Sequence, residues 1–138
     1  MPDNFGIHQT LDVYYCNPKK LNSEETVRSF LQFLPDKISM KKIIKPVTKR
    51  CPAVSEKDGG GISGFVMIAT SHISIHTFPD RGYASIDVYS CNAFDTEMVK
   101  NYVKHIFDAQ RFEENIIIRG QEFEAHARLL KTRMSILN

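Results

Sequence analysis

Residues 61–91, GISGFVMIATSHISIHTFPDRGYASIDVYSC, hold the densest set of chemically usable side chains in the sequence, and their spacing decides the fold. The register predicts three consecutive strands. Residues 64–69 form a continuous apolar run, whereas residues 71–78 and 84–91 alternate. In the second strand His72, Ser74 and His76 share one face and Ile73 and Ile75 take the other. In the third, Ser85, Asp87, Tyr89 and Cys91 line one face, opposite Ala84, Ile86 and Val88. Polar groups on the faces of adjoining strands can converge on one small site.

Working outward, residues 6–16 (GIHQTLDVYYC) read as a first strand ended by Asn17-Pro18. Asn22-Ser23-Glu24-Glu25 has the form of a capping box with asparagine at the cap. Val27, Phe30, Leu31 and Leu34 then follow at helical spacing, up to a stop before Pro35. Residues 40–47 are expected as a second strand, and residues 48–61 (TKRCPAVSEKDGGG) as a mobile loop. After the three central strands, Asp95 caps a helix whose Val99, Tyr102, Val103 and Ile106 face inward. Residues 116–118 predict a short strand, and the tail a third helix with Leu129, Leu130 and Met134 on one seam. Many consecutive strands with few helices predict a two-layer α+β sandwich, mainly an antiparallel sheet with helices on one face.

The composition fits one globular domain over residues 1–138, at 42% hydrophobic and 25% charged. Eighteen basic residues against 16 acidic give a net charge of +2, which calls for neither nucleic acid nor an anionic membrane. Lys41, Lys42, Lys45, Lys49 and Arg50, interrupted by apolar residues, read as a solvated strand edge. No basic segment followed by an apolar run opens the chain, and no stretch approaches the roughly 20 apolar residues of a membrane span. Three cysteines, Cys16, Cys51 and Cys91, without CxxC spacing point to reduced thiols in the cytoplasm.

Two motif matches fail on context. Residues 59–64 satisfy GxGxxG, but a polar loop precedes them and an apolar strand follows, the reverse of a dinucleotide site. His72 and His76 have a metal-ligand spacing for a helix. On a strand the same interval is about 13 Å, too long for one ion. Ser63, Ser71, His76 and Cys91 together offer two hydroxyls, a base near neutrality and a thiol on adjoining strands. A Ser-His-acid hydrolase with Asp80 or Asp87 as the acid is one reading, although no serine sits in a GxSxG elbow.

With those residues in place, the stretch resembles the bacterial and archaeal S-adenosylmethionine decarboxylase family. That family's pattern is a G-[VI]-SG turn, an apolar strand, ESH-x-[ST]-IHT-[WF]-PE, and then GY-A-x-[IV]-D-[VL]-[FY]-[ST]-C. The resemblance implies a proenzyme that cuts itself between Thr70 and Ser71 and turns residue 71 into a pyruvoyl cofactor. It implies that Ser63 polarises the scissile carbonyl during processing and that His76 removes the serine α-proton. The pyruvoyl group would then hold the substrate amine as a Schiff base while carbon dioxide leaves, with Cys91 returning a proton. The resemblance also implies substrate-binding roles for Phe78 and Asp80. The implied partners are S-adenosylmethionine, on the way to spermidine, and a second copy of the chain in a homodimer with sites at the interface.

Three positions depart from the pattern. Thr70 replaces the glutamate before the cleavage serine, and its β-branch is expected to slow attack. Asp80 replaces a glutamate for the ribose hydroxyls. Lys57 stands where the family carries an adenine-stacking phenylalanine, a contact worth about 1–3 kcal/mol. These depletions leave two alternatives: a pyruvoyl-dependent decarboxylase of a smaller amino acid such as arginine or ornithine, and an uncleaved regulatory subunit of the same fold.

Overall fold

The computed structural model describes residues 3–137. Six antiparallel strands form one sheet in the order β2-β3-β4-β5-β1-β6. The strands are β1 (Gly6–Tyr14), β2 (Val47–Cys51), β3 (Gly61–Ile68), β4 (Ser71–Phe78), β5 (Tyr83–Ser90) and β6 (Arg111–Arg119). The helices are α1 (Pro18–Leu21), α2 (Glu24–Lys37), α3 (Thr96–Phe107) and α4 (Phe123–Leu137). The α+β architecture expected from the alternating runs is the one observed.

Alternation is the cause of the layering. Ile73, Ile75 and Thr77 of β4 point to one side with Ala84, Ile86 and Val88 of β5 and Leu11 and Val13 of β1, and all are buried. Val27, Phe30, Leu31 and Leu34 of α2 and Val99, Val103 and Phe107 of α3 complete that core. Phe30 meets Phe107 edge-on at 5.3 Å and stacks on Tyr102 at 5.8 Å. An added Cβ on Gly64 would stand 2.7 Å from Leu31, so the glycine sets how closely α2 approaches the sheet.

Several local expectations shift. The second strand lies at Val47–Cys51, not 40–47. Pro46 lacks the N–H a ladder needs, so pairing with β3 begins after it, and upstream only Lys42 bridges to Ile68. Lys49 and Arg50 do lie on the sheet's edge strand, and Arg50 reaches back to Asn22 at 2.7 Å. The cap of α2 is Ser23, which accepts from Thr26 N at 3.1 Å; Asn22 instead ends α1. Pro35 does not stop α2, because burial of Leu34, Pro35 and Ile38 offsets the missing bond in its last turn. Asp95 caps α3 as expected. The strand predicted at 116–118 extends over nine residues, Arg111–Arg119. The C-terminal helix forms, with Leu129, Leu130 and Met134 exposed.

The helices α1 to α3 leave the other face of the sheet open. Its registers run straight across the strands. Ser63, His76, Ser85, Asp12 and Glu113 make one row; Met67, His72, Tyr89, His8 and Ile117 make another. His8 Nε2 lies 2.9 Å from Asp87, and the Tyr83 hydroxyl donates to Asp12 at 2.6 Å.

Thr77 joins three elements, accepting from Ile62 N at 3.0 Å and donating to Leu21 O at 2.8 Å. Thr77→Val keeps the shape and strands both buried partners, so it should cost about 1–3 kcal/mol in urea unfolding. Burial raises the Cys16 thiol from 9.0 to about 12, with Asp108 adding to the effect. Burial and the bond to Asp12 also raise the Tyr83 phenol. Unfolded, these groups ionise first, so the stability they contribute is complete below about pH 9 and is lost as pH rises through the folded values. Melting temperature should therefore fall from about pH 8 to about pH 11, with a shallower slope in Tyr83→Phe.

Candidate active site

The β3–β4 hairpin turns through Ala69 and Thr70, with Ile68 paired to Ser71. Thr70 has φ 55°, in the left-handed region, whereas Ala69 does not. A two-residue turn of this kind favours glycine at its second position, and a β-branched residue is strained there. Ser71 is 6% exposed. Its Oγ accepts from Cys91 N at 3.1 Å and lies 3.7 Å from Cys91 Sγ. The Thr70 hydroxyl lies 2.8 Å from that sulfur and 2.8 Å from the Ala69 carbonyl oxygen. Thr70, Ser71 and Cys91 therefore form one centre at the β4–β5 end.

Ser63 and His76 form a second centre. They are register partners on β3 and β4, and Ser63 Oγ lies 2.6 Å from His76 Nδ1. With the proton on Nδ1, the ring donates to the serine and leaves Nε2 free to accept one. Neither aspartate considered for a hydrolase triad orients this ring: Asp87 is held by His8, and Asp80 lies beside Gly59.

The two centres do not meet within one chain. Ser71 and His76 are five residues apart on one strand, so the pleat puts Ser71 on the helix side and His76 on the open side. Their Cα atoms are separated by about 16 Å. The convergence expected from neighbouring strands fails because the histidine belongs to the serine's own strand.

Beside Ser63 and His76 lies a groove of about 390 Å³, walled by Pro52, Val54, Gly60, Gly61 and Phe78. A second cavity of about 430 Å³ shares the wall of Cys51, Pro52, Gly60 and Gly61 and contains Asp80, Asn22 and Arg50. Phe78 stacks on Tyr83 at 5.6 Å. The loop before β3 is tied down rather than free: Asp58 accepts from Gly60 N at 2.9 Å and Val54 N at 3.3 Å. Arg81 donates to Glu56 O at 2.9 Å. Lys57 is exposed and lines neither cavity. Pro52 and Val54 were not singled out from sequence; the signal was the short apolar run Pro52-Ala53-Val54 within an otherwise polar loop. No three metal-ligating side chains gather among the described residues, and no helix there is long and apolar enough to cross a membrane.

Comparison with known proteins accords with this geometry. The S-adenosylmethionine decarboxylase proenzyme of Pyrococcus abyssi is 32% identical over 121 residues, covering 87% of this chain and 82% of that one. The proenzyme of Geobacillus kaustophilus is 33% identical over 118 residues, covering 86% and 90%. The crystal structure of the adenosylmethionine decarboxylase from Aquifex aeolicus superposes with a TM-score of 0.67 at 27% identity, covering 85% of this chain and 92% of that one. Residues 7–120 match the S-adenosylmethionine decarboxylase family, and the chain belongs to it.

Proposed function

We propose that this protein cuts itself between Thr70 and Ser71 and then decarboxylates S-adenosylmethionine. The observation that carries this reading is the strained Thr70 turn, with the Ser71 hydroxyl and the Cys91 thiol gathered against it. The Ser71 O–H adds to the Thr70 carbonyl, the C–N bond breaks, and the released nitrogen takes the proton, leaving an ester. Loss of the Ser71 α-proton expels Thr70 as a carboxylate. Water then hydrolyses the remaining enamine to a ketone and ammonia. An amide-to-ester shift is uphill, and release of about 1–3 kcal/mol of backbone strain at Thr70 favours it.

The pyruvoyl group so formed supplies an electron sink for loss of carbon dioxide from an amino acid. Around it, Cys91 holds the proton due to the substrate carbon. The far end of the substrate is assigned to the groove beside the partner subunit's His76, where Phe78 offers a ring face, Pro52 and Val54 offer apolar contact, and Asp80 faces the adjoining cavity, suited to hydroxyl groups. The product would serve aminopropyl transfer toward spermidine.

The α-proton is assigned to the partner subunit's His76, because His76 of the same chain is about 16 Å from Ser71. The open sheet face supports a homodimer: besides its polar rows it exposes Phe65 (41%), Met67 (44%) and Ile117 (44%). Absence of an aromatic residue from the loop before β3 favours a second reading, with arginine or ornithine as the substrate.

Ser71→Ala should remain one full-length species by intact mass, while Cys91→Ala should cleave normally and lose at least about tenfold in decarboxylation rate. Wild type that stays whole would leave an uncleaved regulatory subunit. Carbon dioxide release should be greatest with S-adenosylmethionine; release from arginine or ornithine alone would replace that substrate.

Ser71→Ala and His76→Ala chains should each stay uncut when expressed alone. Coexpressed, the His76→Ala chain should be cut, since its serine then faces an intact partner histidine. Failure of this rescue in a verified heterodimer would place both groups in one chain.

A further inference from the structure

The left-handed threonine at the turn does more than carry strain. Its hydroxyl has one proton and two neighbours at 2.8 Å, the Ala69 carbonyl and the Cys91 sulfur. That single proton cannot serve both neighbours; a carbonyl oxygen is a far stronger acceptor than a thiol sulfur, so the hydroxyl donates to Ala69 and its oxygen is left to accept the S–H of Cys91. The result is a short chain of bonds, Cys91 S–H to Thr70 O–H to Ala69 C=O, closed across the turn that contains the bond to be cut. Cys91 is tied to the same turn a second time, through its own N–H to Ser71 Oγ at 3.1 Å.

We infer that Thr70 is a positioning residue that holds the Cys91 thiol in the uncut chain and releases it on cleavage. This inference rests on the proposed self-processing for its release step, but the restraint itself is a property of the intact turn. Cleavage turns Thr70 into a chain end bearing a carboxylate. The left-handed backbone is then no longer enforced, and the hydroxyl leaves the sulfur. The thiol becomes available only once the ketone beside it exists. A glutamate at this position would not reproduce the arrangement, because an ionised carboxylate has no proton to donate to Ala69. The β-branch thus has a second role beyond the hindrance expected from sequence: with only a few χ1 choices, it keeps the hydroxyl over the sulfur.

The test uses full-length Ser71→Ala protein, which isolates the uncut state, with iodoacetamide as the probe and peptide mass mapping to follow Cys91. Cys51 in the same molecule serves as the internal standard. Adding Thr70→Val removes the hydroxyl and keeps the shape. It should speed Cys91 alkylation by about fivefold relative to Cys51, the factor of one ordinary hydrogen bond. Adding Thr70→Ser should restore the slow rate. In protein with Ser71 intact, Cys91 alkylation should rise as the fragments appear. Equal Cys91 rates with threonine, valine and serine at 70 would overturn the inference, whether or not the wild type cuts itself. Slow Cys91 alkylation that persists after complete cleavage would overturn the release step alone. A wild type that never cuts, with the valine effect present, would sink self-processing and leave the restraint standing.

Discussion

The pleat of one strand governs this molecule. Along β4 successive side chains must point to opposite sides of the sheet, and each residue advances about 3.3 Å. Ser71, Ile73, Ile75 and Thr77 consequently share the packed side, while His72, Ser74, His76 and Phe78 share the open one. A one-residue slip would exchange the two sets, burying two histidines and exposing two isoleucines. The register is therefore held by the whole core and not by the polar groups alone. Its chemical result is the division of the site: a hydroxyl–thiol centre at one end of the strand and a serine–histidine centre toward the other.

Much of this was legible in the residues because burial and alternation obey local rules. The runs at β4 and β5, the buried face of α2 and the Asp95 cap of α3 follow from spacing alone. Family membership was legible from the serine, histidine and cysteine intervals. Register across strands was not. Nothing local states that Ser63 opposes His76, or that Thr70 falls in the left-handed region beside Cys91. The full length of β6 was hidden because it is an edge strand carrying Glu113, Glu114 and Asn115 within its apolar residues. The second strand was displaced because its alternation begins only beyond Pro46.

The groove modifies a conclusion drawn from a single position. Lys57 in place of an aromatic suggested a depleted ligand site, but Lys57 faces solvent, and the wall comes from Pro52 and Val54 on the same loop. Two hydrogen bonds to Asp58 and one from Arg81 give that loop its shape. These side chains supply apolar surface without a π face. The ring face in that groove comes from Phe78 at the end of β4, so its wall combines two aliphatic side chains of the loop with one aromatic of the sheet.

The strand order has a consequence for the life of the molecule. A break after Thr70 would leave β1, β2 and β3 on one piece and β4, β5 and β6 on the other, yet β1 lies between β5 and β6. The pieces would be interleaved like the fingers of two hands, and parting them means tearing three ladders at once. Such a protein would survive its own scission as a folded body. Once denatured, however, it would have to reassemble from two separate chains, so its recovery would depend on dilution in a way that the uncut precursor's would not.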